Sequence, residues 1–187
     1  MTRAALQGDH DTANWAPPNV WWLIVTLASA IGATTVLLVA PVAYSAAVTA
    51  FAAIAAVVVG IHDQRTRRIP NAAVANIALF AVIQLAATAI IRGPLPVADA
   101  VVAAAVMLIA TTAAAAAGWS GFGDAKLLVA LVLCLGAVMG WYALYLLPLS
   151  LIFDAAYRLL RRQHGRHPFG PAIALATALI GTIHILA

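Results

Sequence analysis

Two aspartates stand where acids are costly. Asp63 opens a stretch that runs to Asn71, Asp124 closes Gly121-Phe122-Gly123-Asp124, and each sits at the edge of a long apolar run. A carboxylate in or beside hydrocarbon is expensive, so a chain that keeps two of them there is expected to use them. Two carboxyls that meet can share a proton and activate a water, one serving as base and the other as acid. Those residue types in that setting point to an aspartic protease working in, or at the edge of, a membrane.

The elements that must position the pair are helices. The chain has 187 residues, of which 65% are hydrophobic and 9% charged, against roughly 25% charged in soluble domains; its mean hydropathy is +1.01. The expected fold is an all-α, polytopic transmembrane bundle of about seven spans. Residues 1–18, with Arg3, Asp9, Asp11, Pro17 and Pro18, read as a polar cytoplasmic tail too polar for a signal peptide, and 19–187 as one membrane domain. Spans are expected at 20–39, 44–61, 72–91 and 99–117. As one helix, 126–160 would be about 50 Å long against a hydrocarbon core of about 30 Å, so it should break near 136–140. That gives a short fifth span and a sixth at 141–160, with 169–187 as the seventh. The abundance of alanine predicts close helix packing without a bulky core.

Charge orients the bundle. Basic residues favour cytoplasmic loops. With the N-terminus inside, Arg3, Arg65, Arg67, Arg68, Lys126, Arg158, Arg161, Arg162 and Arg166 fall on the cytoplasmic side and only Arg92 falls outside. This arrangement accounts for the net charge of +4 without a nucleic-acid partner. It also puts Asp63 and Asp124 at the same membrane depth, on the cytoplasmic side, where neighbouring helices can bring them together.

The residues around the two acids have physical uses of their own. Gly121 and Gly123 permit a close backbone approach beside Asp124. Pro70 suits the first turn of the third helix, with Asn71 capping or orienting that turn. Pro168 and Pro171 around Gly170 form a rigid start to the seventh helix that can line the site.

Three blocks in this order resemble the type IV prepilin peptidases, which are Gly-x-Gly-Asp membrane aspartyl proteases. They are Asp63 followed by Ile69-Pro70-Asn71, the run Gly121 to Leu128, and Pro168-Phe169-Gly170-Pro171. The resemblance spans about residue 44 to the end. It implies that Asp63 and Asp124 are the catalytic pair, supported by Pro70, Asn71, Gly121, Gly123, Lys126, Pro168, Phe169, Gly170 and Pro171. It further implies removal of a short basic leader from pilin-like precursors, of the Flp or tight-adherence type, at the cytoplasmic face of the bacterial inner membrane. The paired cysteine motifs and methyl-donor region of the larger members are not present in this sequence, so methylation is not expected. Neither is a cofactor or metal. Expected partners are the precursor and the lipid bilayer.

Plainer readings exist for each residue. Asp63 can pair with Arg65, Arg67 or Arg68 as a loop acid, and Asp124 can stabilise a helix N-terminus. Lys126 is expected to snorkel or meet lipid rather than act directly, and Asp154 to form an i,i+4 pair with Arg158. His164 and His167 lack further metal ligands nearby; His62 reads as interfacial and His184 as structural. Trp21, Trp22, Trp119 and Trp141 read as interfacial anchors, and Cys134 as a packing residue. Two other functions compete with the peptidase: a small transporter or ion-conducting bundle, and a non-catalytic pilus-assembly protein.

Overall fold

The computed structural model describes residues 20–118, 120–161 and 168–186. The polar tail, Trp119, His164 and His167, with Arg162 and Arg166, lie outside the described residues, as does the side chain of Trp21. Among the described residues there are seven α-helices, one 3-10 helix and no strands. The helices are α1 (Val20–Val39), α2 (Pro41–Thr66), α3 (Asn71–Arg92), α4 (Leu95–Ala116), α5 (Phe122–Met139), α6 (Leu146–Arg161) and α7 (Gly170–Leu186).

The all-helical, membrane-type architecture is as expected; the count of about seven spans is not confirmed. Among the described residues, five stretches are long and apolar enough to cross a membrane: Trp22–Val39, Ala43–Thr66, Asn71–Arg92, Leu95–Ala116 and Phe122–Leu160. Helix α7 has 17 residues, at the lower limit for a span, and α6 has 16. The break expected near 136–140 falls at Gly140, whose φ of +56° is a conformation that side chains disfavour. A 3-10 turn over Gly140–Tyr145 follows, so α6 starts at Leu146 rather than at 141. In a 3-10 helix side chains three apart eclipse, and Tyr142 and Tyr145 accordingly stack, with ring centroids 6.3 Å apart. Pro148 then falls in the first turn of α6, where its missing N–H costs nothing.

Helix α5 forms the centre, packing on α3, α4 and α2, while α2 packs along α7 and α1 lies against α2 and α3. Leu127, Leu128, Leu131 and Leu135 of α5 are fully enclosed. Small residues bring the helices together, as the alanine content suggested: Ala52, Ala56, Ala100, Ala103 and Ala176 are all fully buried. The expectation of no bulky core is wrong in part. Tyr44 and Phe80 are fully buried, and Phe51 stacks on Phe80 with centroids 3.7 Å apart. Aromatic rings fill the wider gaps that alanines leave between helices.

Polar ties hold the end of the bundle opposite Asp63. The Tyr44 hydroxyl and Thr88 Oγ1 are 3.1 Å apart, and the Arg92 guanidinium lies 5.3 Å from the centre of the Tyr44 ring, a cation–π contact. Gln84, fully buried, donates from Nε2 to the Ala30 carbonyl at 3.0 Å, pinning α3 to α1. Trp22 and Trp141 are both exposed.

Glycine 136 sets the α4–α5 spacing. A Cβ there would lie 2.8 Å from Ala100 Cα, whereas one at Gly32 would meet nothing within 4 Å. Gly136→Ala should therefore lower stability by about 1–3 kcal/mol, and Gly32→Ala should cause no loss. Thermal unfolding of the two variants in one detergent checks this.

Candidate active site

Asp63 lies one turn before the end of α2, which runs past the apolar stretch to Thr66. Arg67 ends the helix in the left-handed conformation, φ 54°, and its N–H donates to the Asp63 carbonyl at 2.7 Å. Thr66 Oγ1 donates back to the His62 carbonyl at 2.9 Å. A short return through Ile69 and Pro70 then leads into α3. The Asp63 side chain is buried, 5% exposed. Its Oδ2 accepts a hydrogen bond of 2.9 Å from the Gly170 N–H, at the first residue of α7. That N–H has no partner within its own helix, and the helix dipole favours negative charge there.

Gly170 is a glycine for a steric reason. A Cβ would stand 2.9 Å from both Asp63 Cβ and Asp63 Oδ2, and one at Gly60 would lie 3.0 Å from the Gly170 carbonyl oxygen. Helices α2 and α7 thus cross on two glycines, with the carboxylate at the crossing. In sequence the Pro168 to Pro171 block predicts a rigid helix start but does not reveal that its glycine bonds to Asp63. A glycine at a helix N-terminus between prolines was the available signal.

Asp124 is the third residue of α5 and half-buried. Its Oδ2 accepts from the Gly121 N–H at 3.0 Å, the side-chain half of a capping box. Asp124 therefore does stabilise the N-terminus of α5. Gly123 faces the first block: a Cβ on it would lie 3.4 Å from Ile69 Cβ. Lys126 Nζ and Asn71 Oδ1 approach to 3.5 Å, the outer limit of a hydrogen bond, and both residues are exposed. Two expectations for the third helix change. Pro70 is the N-cap residue rather than part of the first turn, and Asn71 makes no capping bond; its side chain turns to Lys126 instead.

All three blocks meet at one end of the bundle. The first touches the third through Asp63 and Gly170, and the second through Ile69 with Gly123 and Asn71 with Lys126. Asp63 and Asp154 both lie close enough to Asp124 for their charges to act on it. In each motif aspartate Oδ2 is the oxygen bonded to a backbone N–H, and neither Oδ1 has a partner among the described residues. Asp154 makes the expected pair with Arg158, Oδ2 to Nε 2.8 Å. Its burial, at 7% exposed, was not foreseen. Arg65, Arg67, Arg68 and His62 are exposed, and His184 sits at the far end of α7.

Among the described residues no group of three or more His, Cys, Asp or Glu side chains is arranged to hold a metal ion. A cavity of about 340 Å³ between α1, α2 and α3 contains neither motif aspartate. A smaller one, about 50 Å³, lies beside Gln64, Asp154, Pro168 and Pro171.

Residues 50–186 match the family model described as the type IV leader peptidase family. No curated protein and no solved structure matches the chain.

The contact between Asp63 and Gly170 yields a direct test. Gly170→Ala should cost about 1–3 kcal/mol by crowding, and the cost should shrink in an Asp63→Gly background, which removes both crowded atoms. A double-mutant cycle of thermal unfolding in detergent measures that coupling.

Proposed function

The chain belongs to the type IV leader peptidase family, and on that premise we propose that it is a two-aspartate endopeptidase that removes the short basic leader of pilin-like precursors at the cytoplasmic face. The observation that carries the reading is the placement of Asp63 and Asp124 at the same end of the bundle, each held through one oxygen by a backbone amide. Such amides cannot rotate away, so the second oxygens are held in place before substrate arrives. In the proposed chemistry a water lies between the two Oδ1 atoms. The ionised aspartate takes its proton as it attacks the scissile carbonyl, and the protonated one donates to the carbonyl oxygen and later to the leaving amine. Gly121 lets the Asp124 carboxylate lie close to its backbone, where a Cβ would stand 3.1 Å from Oδ2, and Gly123 lets Ile69 pack against the start of α5. Lys126 and Asn71 tie α5 to α3 beside it, which gives Lys126 a supporting part.

The side of action follows from charge. Exposed Arg65, Arg67, Arg68 and Lys126 gather at the acid end, and Arg92 lies at the other. We place the acid end in the cytoplasm and let α1 to α7 cross alternately, with α6 and α7 as short spans. Pilin-like precursors of the Flp or tight-adherence type fit this compact chain.

One observation favours a second reading, a non-catalytic assembly partner: both acids stabilise helix N-termini. Processing separates the two. Co-expressed with a candidate precursor, the wild-type chain should yield product lighter by the leader, read by mass. Asp63→Asn and Asp124→Asn should each lower the rate by about 10²-fold or more while the protein still accumulates in the membrane. Undiminished processing by either variant would refute the catalytic assignment.

Orientation is tested by thiol labelling in a Cys134→Ala background. Leu95→Cys should react with an impermeant reagent on intact cells, and Arg68→Cys should react only after the membrane is opened. The reverse pattern would invert the topology.

A further inference from the structure

Asp154 is the acid that the two-aspartate chemistry leaves unused. Leu146, Ser150 and Asp154 form the inward stripe of α6, at 0%, 0% and 7% exposed. Ser150 Oγ donates to the Leu146 carbonyl at 2.7 Å, so its proton is spent within its own helix, while Asp154 reaches out to Arg158. The two partners differ in setting: the Asp154 side chain is 9% exposed and that of Arg158 is 48%. A surface i,i+4 pair keeps both groups in water. Here the acid is drawn inward and the cation stays at the mouth, and that burial is costly for a pair serving helix stability alone.

What lies inward is the site. Asp154 and Tyr157 line the cavity of about 50 Å³ together with Gln64, Pro168 and Pro171. Gln64 follows Asp63, and the two prolines flank Gly170, which bonds to Asp63. The charge of Asp154 reaches Asp124. The space is a few times the roughly 10–15 Å³ that one water needs, enough for an ammonium or the tip of a guanidinium and too small for an aromatic ring.

We infer that Asp154 is a specificity-determining residue, receiving in this cavity a lysine or arginine side chain of the substrate that adjoins the bond to be cut and displacing Arg158 as it does so. Asp154, in the lining of this cavity, already pairs with one guanidinium through Arg158 Nε, so its chemistry is that of a cation-binding carboxylate. The exposed arginines after α2 repel a basic peptide, and a buried carboxylate beside the aspartates offsets that repulsion where the peptide must dock. The inference rests on the leader-peptidase reading.

The test takes a precursor that the wild-type chain cleaves and makes the leader's basic residue nearest the cut Lys, Gln or Glu. With full-length protein in detergent, the wild type should favour Lys over Glu by tenfold or more in kcat/KM. Asp154→Asn should reduce that preference to about twofold or less, through KM with kcat largely kept, and Asp154→Lys should reverse it. Arg158→Gln, which removes the internal competitor, should lower KM for the Lys precursor, and it carries the test if the Asp154 variants do not accumulate. An Asp154→Asn enzyme that keeps the preference, or an Arg158→Gln enzyme with unchanged KM, would overturn the inference while leaving the proposed function standing. A wild-type chain that cleaves no precursor overturns both.

Discussion

The hydrogen bond from the Gly170 N–H to Asp63 Oδ2, 2.9 Å long, is the interaction around which the acid end is built. A carboxylate buried at the edge of hydrocarbon and a helix N-terminus without partners for its amides are each unfavourable alone. Placed together, each satisfies the other. The arrangement demands glycine at 170 and close approach at Gly60, which fixes how α7 crosses α2. Because α6 packs on α7, the same crossing also determines where Asp154 can lie. Asp124 repeats the device within one helix by accepting from Gly121.

The rest of the bundle holds these backbone amides still. Fully buried leucines occupy the turns of α5 just beyond Asp124, so the helix cannot rotate without opening a close-packed interior. At the opposite end, Tyr44, Thr88 and Arg92 join α2 to α3. The loop that reverses the chain between those helices at the acid end is therefore held by both of its arms.

Hydropathy located the helices well and their ends less well. For α1 the apolar run and the helix coincide, both at Val20–Val39. For α2 the apolar run ends at Ile61 but the helix continues through His62 to Thr66, since backbone bonding does not depend on side-chain polarity and Arg67 supplies the stop. The break at Gly140 was legible as a glycine inside an overlong run; the 3-10 turn that follows was not, because it depends on how Ala143 and Leu146 are buried against the neighbouring helices. The three motif blocks were legible as a set. Their partners were not, since spacing along a chain does not say that Asn71 turns to Lys126 rather than to its own helix, or that the motif glycine at 170 serves Asp63. The i,i+4 spacing of Asp154 and Arg158 foretold their ion pair, but the burial of Asp154 depends on the rotation of α6 against α7, a tertiary quantity.

Capping a helix and activating water are often treated as rival explanations for an acid, and this geometry shows why they need not compete. An amide bond to Oδ2 leaves Oδ1 with its lone pairs and fixes the direction in which they face. A carboxylate without that bond would sample several rotamers and would have to be ordered during the reaction, an entropic cost that preorganised sites avoid. The bond also offsets part of the cost of placing a carboxyl beside hydrocarbon, because the group faces a helix N-terminus. The structural role of each aspartate is then a condition for the chemistry proposed for it: what holds one oxygen is what makes the other available.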